Sequence, residues 1–345
     1  MNRNTTIFLN FVLVGCLGLF LWWAEGNLDG YKIQILNLIA VNIILALSLN
    51  LIYGFTGMFS LGHAGFMAIG AYVCSILIMT PEQKATLFIL QEAFPLVQNS
   101  HAPFLVAVIA GGLVAALFGL VIGAPLLRLG DDYLGIATLG FAEIVRVIGN
   151  NIPRVTNGAL GFKGIPDHAN LWWNYGWCLL TLYFVIRIVN SNTGNVFKAI
   201  RDDETAAKAM GINVFKIKLL SFTFGAFFAG VGGALLASLL TTIDPKMFLF
   251  TLTFNVLMIV VTGGLGSITG SILAGTGITV VLEWLRFVEN PVTIGDWTMP
   301  GIPGMRMVVF SLVLILVILF RREGIMGMRE ITWDGVARFM KRGKA

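Results

Sequence analysis

The chain has 345 residues, 57% of them hydrophobic and 12% charged, with a net charge of +5. Soluble domains carry about 25% charged residues, so this composition excludes a water-soluble body and calls for a polytopic membrane protein whose length is used up in spans. Nor does the positive excess read as an interleaved basic-aromatic nucleic-acid surface, because Lys and Arg collect in a loop at 187–218 and in a tail from Arg321 to Lys344, as cytoplasmic segments do under the positive-inside rule.

A span requires about 20 apolar residues. Such runs predict an all-α fold of about ten transmembrane helices, near 6–23, 34–52, 60–79, 104–127, 134–149, 171–189, 219–240, 250–262, 270–287 and 305–320, in a single transmembrane domain over 1–345. In the first run, Leu13-Val14-Gly15-Cys16 resembles a lipoprotein cleavage box, but apolar sequence continues through Trp22 and Trp23, so a retained span is expected. Cys16, Cys74 and Cys178 are too scattered for a disulfide framework or a metal site.

The second run carries Asn37, Asn42 and Asn50. Asparagines in spans usually bond neighbouring helices, although one that faces a cavity can bind a polar solute. A glycine-rich stretch, Tyr53 to Gly65, then interrupts the spans, and Gly263-Gly264-Leu265-Gly266-Ser267-Ile268-Thr269-Gly270 does so again. Non-helical backbone at membrane depth needs surrounding protein or a watery cavity, so either stretch can line a substrate path. The plainer reading is a tight turn with close packing of small residues, for which Gly266, Gly270 and Ala274 recur at helical spacing in the second stretch. Ser60 and His63 add polar groups to the first stretch, and His63 can simply bond backbone freed by the break. The fifth run holds Glu143 and Arg146, whose i,i+3 spacing lets them pair. A charge in a span is a functional hypothesis by default, against which stands a pair at the outer membrane boundary. Glu283 and Arg286 repeat the spacing near the end of the ninth run. Candidates for a substrate path are Asn42, Ser60, His63, Thr138 and Glu143.

The loop at 190–218 is the densest block of charge. Asp202 or Asp203 can cap a helix start, Glu204 and Lys208 stand at i,i+4 in the favourable order, and Gly211 can end the helix in the left-handed conformation. A short helix near 203–210 is predicted, with the small residues Ala206, Ala207 and Ala209 allowing close approach of another surface. Val196, Phe197 and Ile200 offer an apolar patch upstream, for the membrane face or the same partner. The tail at 321–345 and this loop, both basic, place the termini inside with the loop under the positive-inside rule. Spans 2–5 and 7–10 then run in opposite sense, as an inverted-topology repeat requires. No Gly-Lys-Ser/Thr follows either glycine-rich stretch, so no nucleotide site is read in the chain, and no catalytic constellation is present in the sequence.

Four stretches carry a resemblance: Ser60-Leu61-Gly62-His63-Ala64-Gly65-Phe66, Asp132-Tyr133-Leu134-Gly135-Ile136-Ala137-Thr138-Leu139-Gly140-Phe141, Ala199-Ile200-Arg201-Asp202-Asp203-Glu204 and Gly263-Gly264-Leu265-Gly266-Ser267. The chain resembles permease subunits of branched-chain amino acid ABC importers, the LivM type, from about Leu36 to Phe320. The resemblance implies a heteromeric importer in the bacterial inner membrane: a second homologous permease subunit, two cytoplasmic ATPases that bind ATP and Mg, and an extracytoplasmic solute-binding protein, all around a lipid-embedded chain. It also implies a Glu-Ala-Ala-x-x-x-Gly coupling motif, here Thr205-Ala206-Ala207 with Gly211, where Thr stands for the usual Glu and Glu204 falls one place early. Asp203 to Lys208 and Gly211 are therefore the expected ATPase-coupling residues. The implied solutes are branched-chain or other hydrophobic amino acids; the family also handles urea, short amides and other amino acids. An ion-coupled secondary transporter working through Glu143 and Arg146 is the alternative class.

Overall fold

In a bilayer the backbone N–H and C=O groups find no water and must pair within the segment, so apolar runs become helices. The computed structural model describes residues 3–88, 91–286, 292–294, 297–299, 304–320 and 323–330. Its helices are α1 (Arg3–Asn27), α2 (Gly30–Asn50, prolonged by a π-turn over Leu51–Phe55), α3 (His63–Ile78), α4 (Pro81–Leu87), α5 (Pro95–Asn99), α6 (Phe104–Leu126), α7 (Asp131–Asn151), α8 (Pro153–Thr156), α9 (Leu171–Val189), α10 (Asn192–Asp202), α11 (Glu204–Ala209), α12 (Val214–Leu240), α13 (Phe250–Gly263), α14 (Ile268–Trp284) and α15 (Met305–Phe320). The only strands among the described residues are short hairpin pieces, β1 (Phe162–Lys163) with β2 (Thr242–Ile243), and β3 (Val292–Ile294) with β4 (Trp297–Met299). The chain is thus an all-α polytopic membrane protein. Each expected apolar run falls on a helix. Gly30–Phe55, Phe104–Leu126 and Val214–Leu240 are by themselves long and apolar enough to cross a bilayer, and α3 bends by 117° into α4.

α12 is the centre of the packing, lying against α6, α3 and α2, while α2 also meets α14, α9 and α13. These contacts are made by small residues, because without a hydrophobic drive between helices in lipid, association depends on close backbone approach. Polar groups join the helices as well: Asn174 on α9 donates to Asn37 Oδ1 at 2.9 Å, and Asn42 donates to Thr279 Oγ1 on α14 at 2.8 Å. The asparagines of α2 therefore act as interhelical bonds, and Asn42 faces α14.

The helix ends sort into two groups. One end of the bundle brings together the π-turn after α2, the loop helix α10, the α13–α14 junction and residues 323–330. At the other end β1 pairs with β2, Trp172 donates to Glu25 at 2.8 Å, and Tyr31 donates to Glu283. Lys84 is buried there, donating to Val97 O at 2.8 Å and to the Ser100 carbonyl and hydroxyl oxygens. Of the expected basic tail at 321–345, only 323–330 lie among the described residues.

Candidate functional site

The site grows from the charged loop. Ser191 caps α10 through Gly194 N–H at 3.3 Å. Asp203 is extended (φ −157°, ψ 108°) and breaks α10 from α11. Its Oδ1 accepts from Thr205 N at 2.8 Å and Ala206 N at 3.0 Å, and Gly211 follows α11 at φ +80°. The expected helix near 203–210 is present as Glu204–Ala209, flanked by the expected cap and stop. Removing the cap in Asp203→Ala costs about 1 kcal/mol. Amides of Thr205 and Ala206 are then expected to exchange with solvent about fivefold faster in a hydrogen-exchange measurement.

Two expectations about the loop are corrected by its packing. Ile200, Ala207 and Val214 are buried together, with Val196, Ile212 and Ile217 against them, and Phe197 is fully buried. The upstream apolar patch is therefore consumed inside the chain, since a short amphipathic loop helix gains most by folding onto its own base. Ala207 points inward too. The open surface of α11 is Thr205, Ala206, Lys208, Ala209 and Met210, the last 83% exposed.

Glu204 is likewise engaged within the chain, 2.7 Å from Lys208 Nζ and 2.5 Å from Lys218 Nζ at the foot of α12. The hydrogen bond from Lys208, then that from Lys218, hold its carboxyl below the ordinary carboxylate range. A depressed carboxyl stabilises the fold above its unfolded-state pKa, and that contribution fades as pH falls through the folded-state value. α11 therefore loosens on the acid side.

Arg201, on the last turn of α10, connects this loop to both glycine-rich breaks. Its Nη1 donates to Gly54 O at 3.1 Å, while Nε and Nη2 hold Asp202 Oδ1 at 3.0 and 2.9 Å. Gly54 O is available because a π-turn shifts the carbonyl ladder there. The neighbouring Leu51 carbonyl is taken by the Thr56 hydroxyl at 3.0 Å and by Ser221 on α12 at 3.1 Å. The two breaks touch each other directly. A Cβ on Gly54 would lie 2.3 Å from Gly266 N, and one on Gly266 would lie 2.9 Å from Arg201 Nη1. Asn50 fastens the contact: its Nδ2 donates to Ser267 O at 2.9 Å and Ser271 Oγ at 2.8 Å, and its Oδ1 accepts from Gly266 N at 2.9 Å. Gly266 lies in the turn before α14 rather than on the helix, so only Gly270 and Ala274 of the small-residue series share a helix face.

Residues 323–330 cover the second break. Ile325 N and Met326 N donate to Thr262 O and Gly263 O at 2.8 and 3.1 Å. The Glu330 carboxylate accepts from Ile268 N at 2.6 Å and Thr269 N at 3.0 Å, placing an anion on the start of α14 where the dipole favours it.

The remaining path candidates divide into three places. Ser60, His63 and Thr138 come together where the first break meets α3 and α7: Leu61 N donates to Thr138 Oγ1 at 2.9 Å, and all three are buried. His63 bonds Ser48 Oγ on α2 at 2.7 Å through Nε2, not freed backbone, and its buried Nδ1 meets no protein partner among the described residues. Freed backbone is served by Thr253 on α13 instead, whose Oγ1 accepts from Ala64 N at 2.8 Å. Asn42 lies apart, on the α2–α14 contact. Glu143 is also separate, paired with Arg146 Nε at 2.7 Å on a partly exposed face of α7.

Apolar helices with two hydrogen-bonded breaks, fixed to a capped loop helix at one end, make a multi-pass membrane protein. Residues 31–318 match the family model described as branched-chain amino acid transport system / permease component. The chain is 32% identical over 321 residues to the high-affinity branched-chain amino acid transport system permease protein LivM of Escherichia coli strain K12, which covers 82% of this chain and 70% of that protein. It is 32% identical over 289 residues to the LivM protein of Salmonella typhimurium strain LT2, covering 74% of this chain and 64% of that one. With the LivH permease protein of the same Salmonella strain it shares 26% identity over 307 residues, 84% of this chain and 92% of that one. No solved structure matches. The chain belongs to the branched-chain amino acid ABC transporter permease family and is of the LivM type. Members of this family are transport subunits within multi-subunit ABC transporters, not enzymes themselves.

Proposed function

We propose that the chain is one of two permease subunits of an ATP-driven importer for branched-chain or other hydrophobic amino acids. The observation that carries this reading is the exposed α11 surface, held at the same end of the bundle as both breaks and joined to them through Arg201. In this reading the ten apolar helices all cross the membrane, N- and C-termini and the 190–218 loop face the cytoplasm, and spans 2–5 and 7–10 form inverted halves. A second homologous permease completes the path. Two ATPases, binding ATP and Mg, dock on Thr205, Ala206, Lys208 and Ala209, and an extracytoplasmic binding protein delivers solute at the β1–β2 end. Asp203, Glu204, Ala207 and Gly211 serve by shaping α11 rather than by contact. Of the path candidates, Ser60, His63 and Thr138 line the joint that opens, and Asn42 holds α2 to α14. Urea and short amides are the alternative solutes.

Cysteine crosslinking tests the reading. With Ala206→Cys or Lys208→Cys in the assembled transporter, crosslinks to an ATPase neighbour are expected, and purified complexes in proteoliposomes should take up leucine only with ATP. Uptake by the chain alone on an ion gradient, with no crosslink, would replace this reading by that of an ion-coupled carrier.

A further inference from the structure

We infer that the outward face of α7 carries a recognition subsite for a zwitterionic α-amino acid with an apolar side chain, built on the Glu143–Arg146 pair. This deepens the importer reading and rests on it.

The inward face of α7 is closed: Leu134, Thr138, Phe141 and Ala142 are buried against α3 and the first break. The outward face is open and almost wholly apolar, with Tyr133, Ile136, Ile144 and Val147 between 47% and 71% exposed. Set into this face are two full charges. Arg146 and Glu143 are 28% and 36% exposed, and only Nε and Oε2 are joined, at 2.7 Å. Glu143 Oε1 and the Nη groups of Arg146 meet no protein partner among the described residues. Glu143 stands 12 residues after Asp131 and 8 before Asn151 on α7, about 18 Å and about 12 Å along a helix rising 1.5 Å per residue. That is mid-helix, about two turns from the nearer end of α7. In the importer reading α7 crosses the membrane, and charges in the middle of a span face a bundle interior or a watery cavity rather than lipid tails. This face of α7 is therefore turned toward a path.

The unsatisfied groups have opposite sign and are neighbours, which matches one chemistry closely. A guanidinium offers a fork of N–H donors to a carboxylate, and the free Glu143 oxygen can accept from an ammonium. A zwitterion laid across the pair replaces part of the water both charges would otherwise keep. Its side chain then falls on apolar wall, Ile136 and Ile144 lying one turn to either side of Gly140, where an added Cβ would meet nothing within 4 Å. Neutral amides or urea would offer no charge to the open Glu143 oxygen and Arg146 Nη groups, so the pair favours the charged α-amino acid headgroup.

The test uses the complete transporter, reconstituted with its binding protein. Glu143→Gln and Arg146→Gln are each expected to assemble and to lower leucine uptake by about tenfold or more, the loss of one charge-assisted contact. The exchanged variant Glu143→Arg/Arg146→Glu keeps an ion pair but reverses what the zwitterion meets, and is expected to stay as impaired. Full recovery in that variant would show that the pair only stabilises the helix and would overturn the inference. A second measurement does not depend on these side chains. In a Cys16→Ser background, Gly140→Cys is expected to react with a charged methanethiosulfonate, and leucine translocation should slow that labelling. No labelling, or labelling indifferent to leucine, would also overturn it. Absence of ATP-driven amino acid uptake by the unmodified complex would defeat the importer reading instead, a different result from normal uptake with an insensitive α7 face.

Discussion

Arg201→Ala is expected to separate ATP hydrolysis from transport. The assembled complex should hydrolyse ATP while moving much less solute per ATP, by about tenfold or more, measured as leucine uptake against phosphate release in the same proteoliposomes. The reason is that Arg201 provides the side-chain bond between the loop helices and the unwound backbone: its Nη1 donates to Gly54 O at 3.1 Å, and Gly57 and Gly266 leave room for it, since an added Cβ would lie 3.1 Å from Arg201 Cγ at the first and 2.9 Å from Nη1 at the second. A hydrogen bond from a charged group contributes about 1.5–3 kcal/mol, enough to set which of two loop positions is occupied. Arg201→Lys keeps the charge but loses the fork that holds Asp202 and Gly54 together, so an intermediate ratio is expected. An unchanged ratio in both variants would mean that force reaches the breaks by another route.

Gly70→Val is expected to abolish assembly rather than slow turnover. A Cβ at Gly70 on α3 would lie 2.0 Å from the Gly230 carbonyl oxygen and 2.5 Å from Gly230 Cα on α12. A Cβ at Gly111 on α6 would in turn reach Gly70 O at 2.8 Å. Three backbones thus meet through glycine, with no side chain able to swing aside. Overpacking in a core costs about 1–3 kcal/mol where neighbours can shift, and more where they cannot, and here the neighbour is main chain. Detergent-extracted complex should fall below detection on size-exclusion chromatography. Gly176→Ala on α9, where a Cβ meets nothing within 4 Å, should leave the yield intact and serves as the control.

The helices were legible because a bilayer allows little else: long apolar runs dictate their own hydrogen bonding, and every run read from sequence fell on a helix. The short helix after Asp203 was legible for a local reason, since cap, ion pair and terminating glycine all lie within nine residues of one another. What sequence reading missed is non-local. Asn50 looked like one of three similar asparagines, and only the fold shows it joining residues 216, 217 and 221 positions away. Arg201 counted as one charge in a charged loop until its partner proved to be a backbone carbonyl released by a π-turn. Ala207 and Ile200 are covered by the chain itself, which spacing alone does not reveal, because it marks a helical face but not which neighbour lies on it. Thr253 and Ser48 carry no signal in an apolar stretch except that they are hydroxyls, and they turned out to satisfy the start of α3 and His63.

The bonds across the two breaks also set a timetable for biogenesis. Ser267 waits for Arg329, which is synthesised 62 residues later, and Asn50 waits for Ser267, 217 residues later. Until then Asn50 enters the bilayer on α2 with its amide unpaired, at the point where an inserting helix is most exposed to lipid. Stops ahead of residue 330 should leave a recognisable quality-control substrate, a chain whose second glycine-rich break is not yet sealed by residues 323–330.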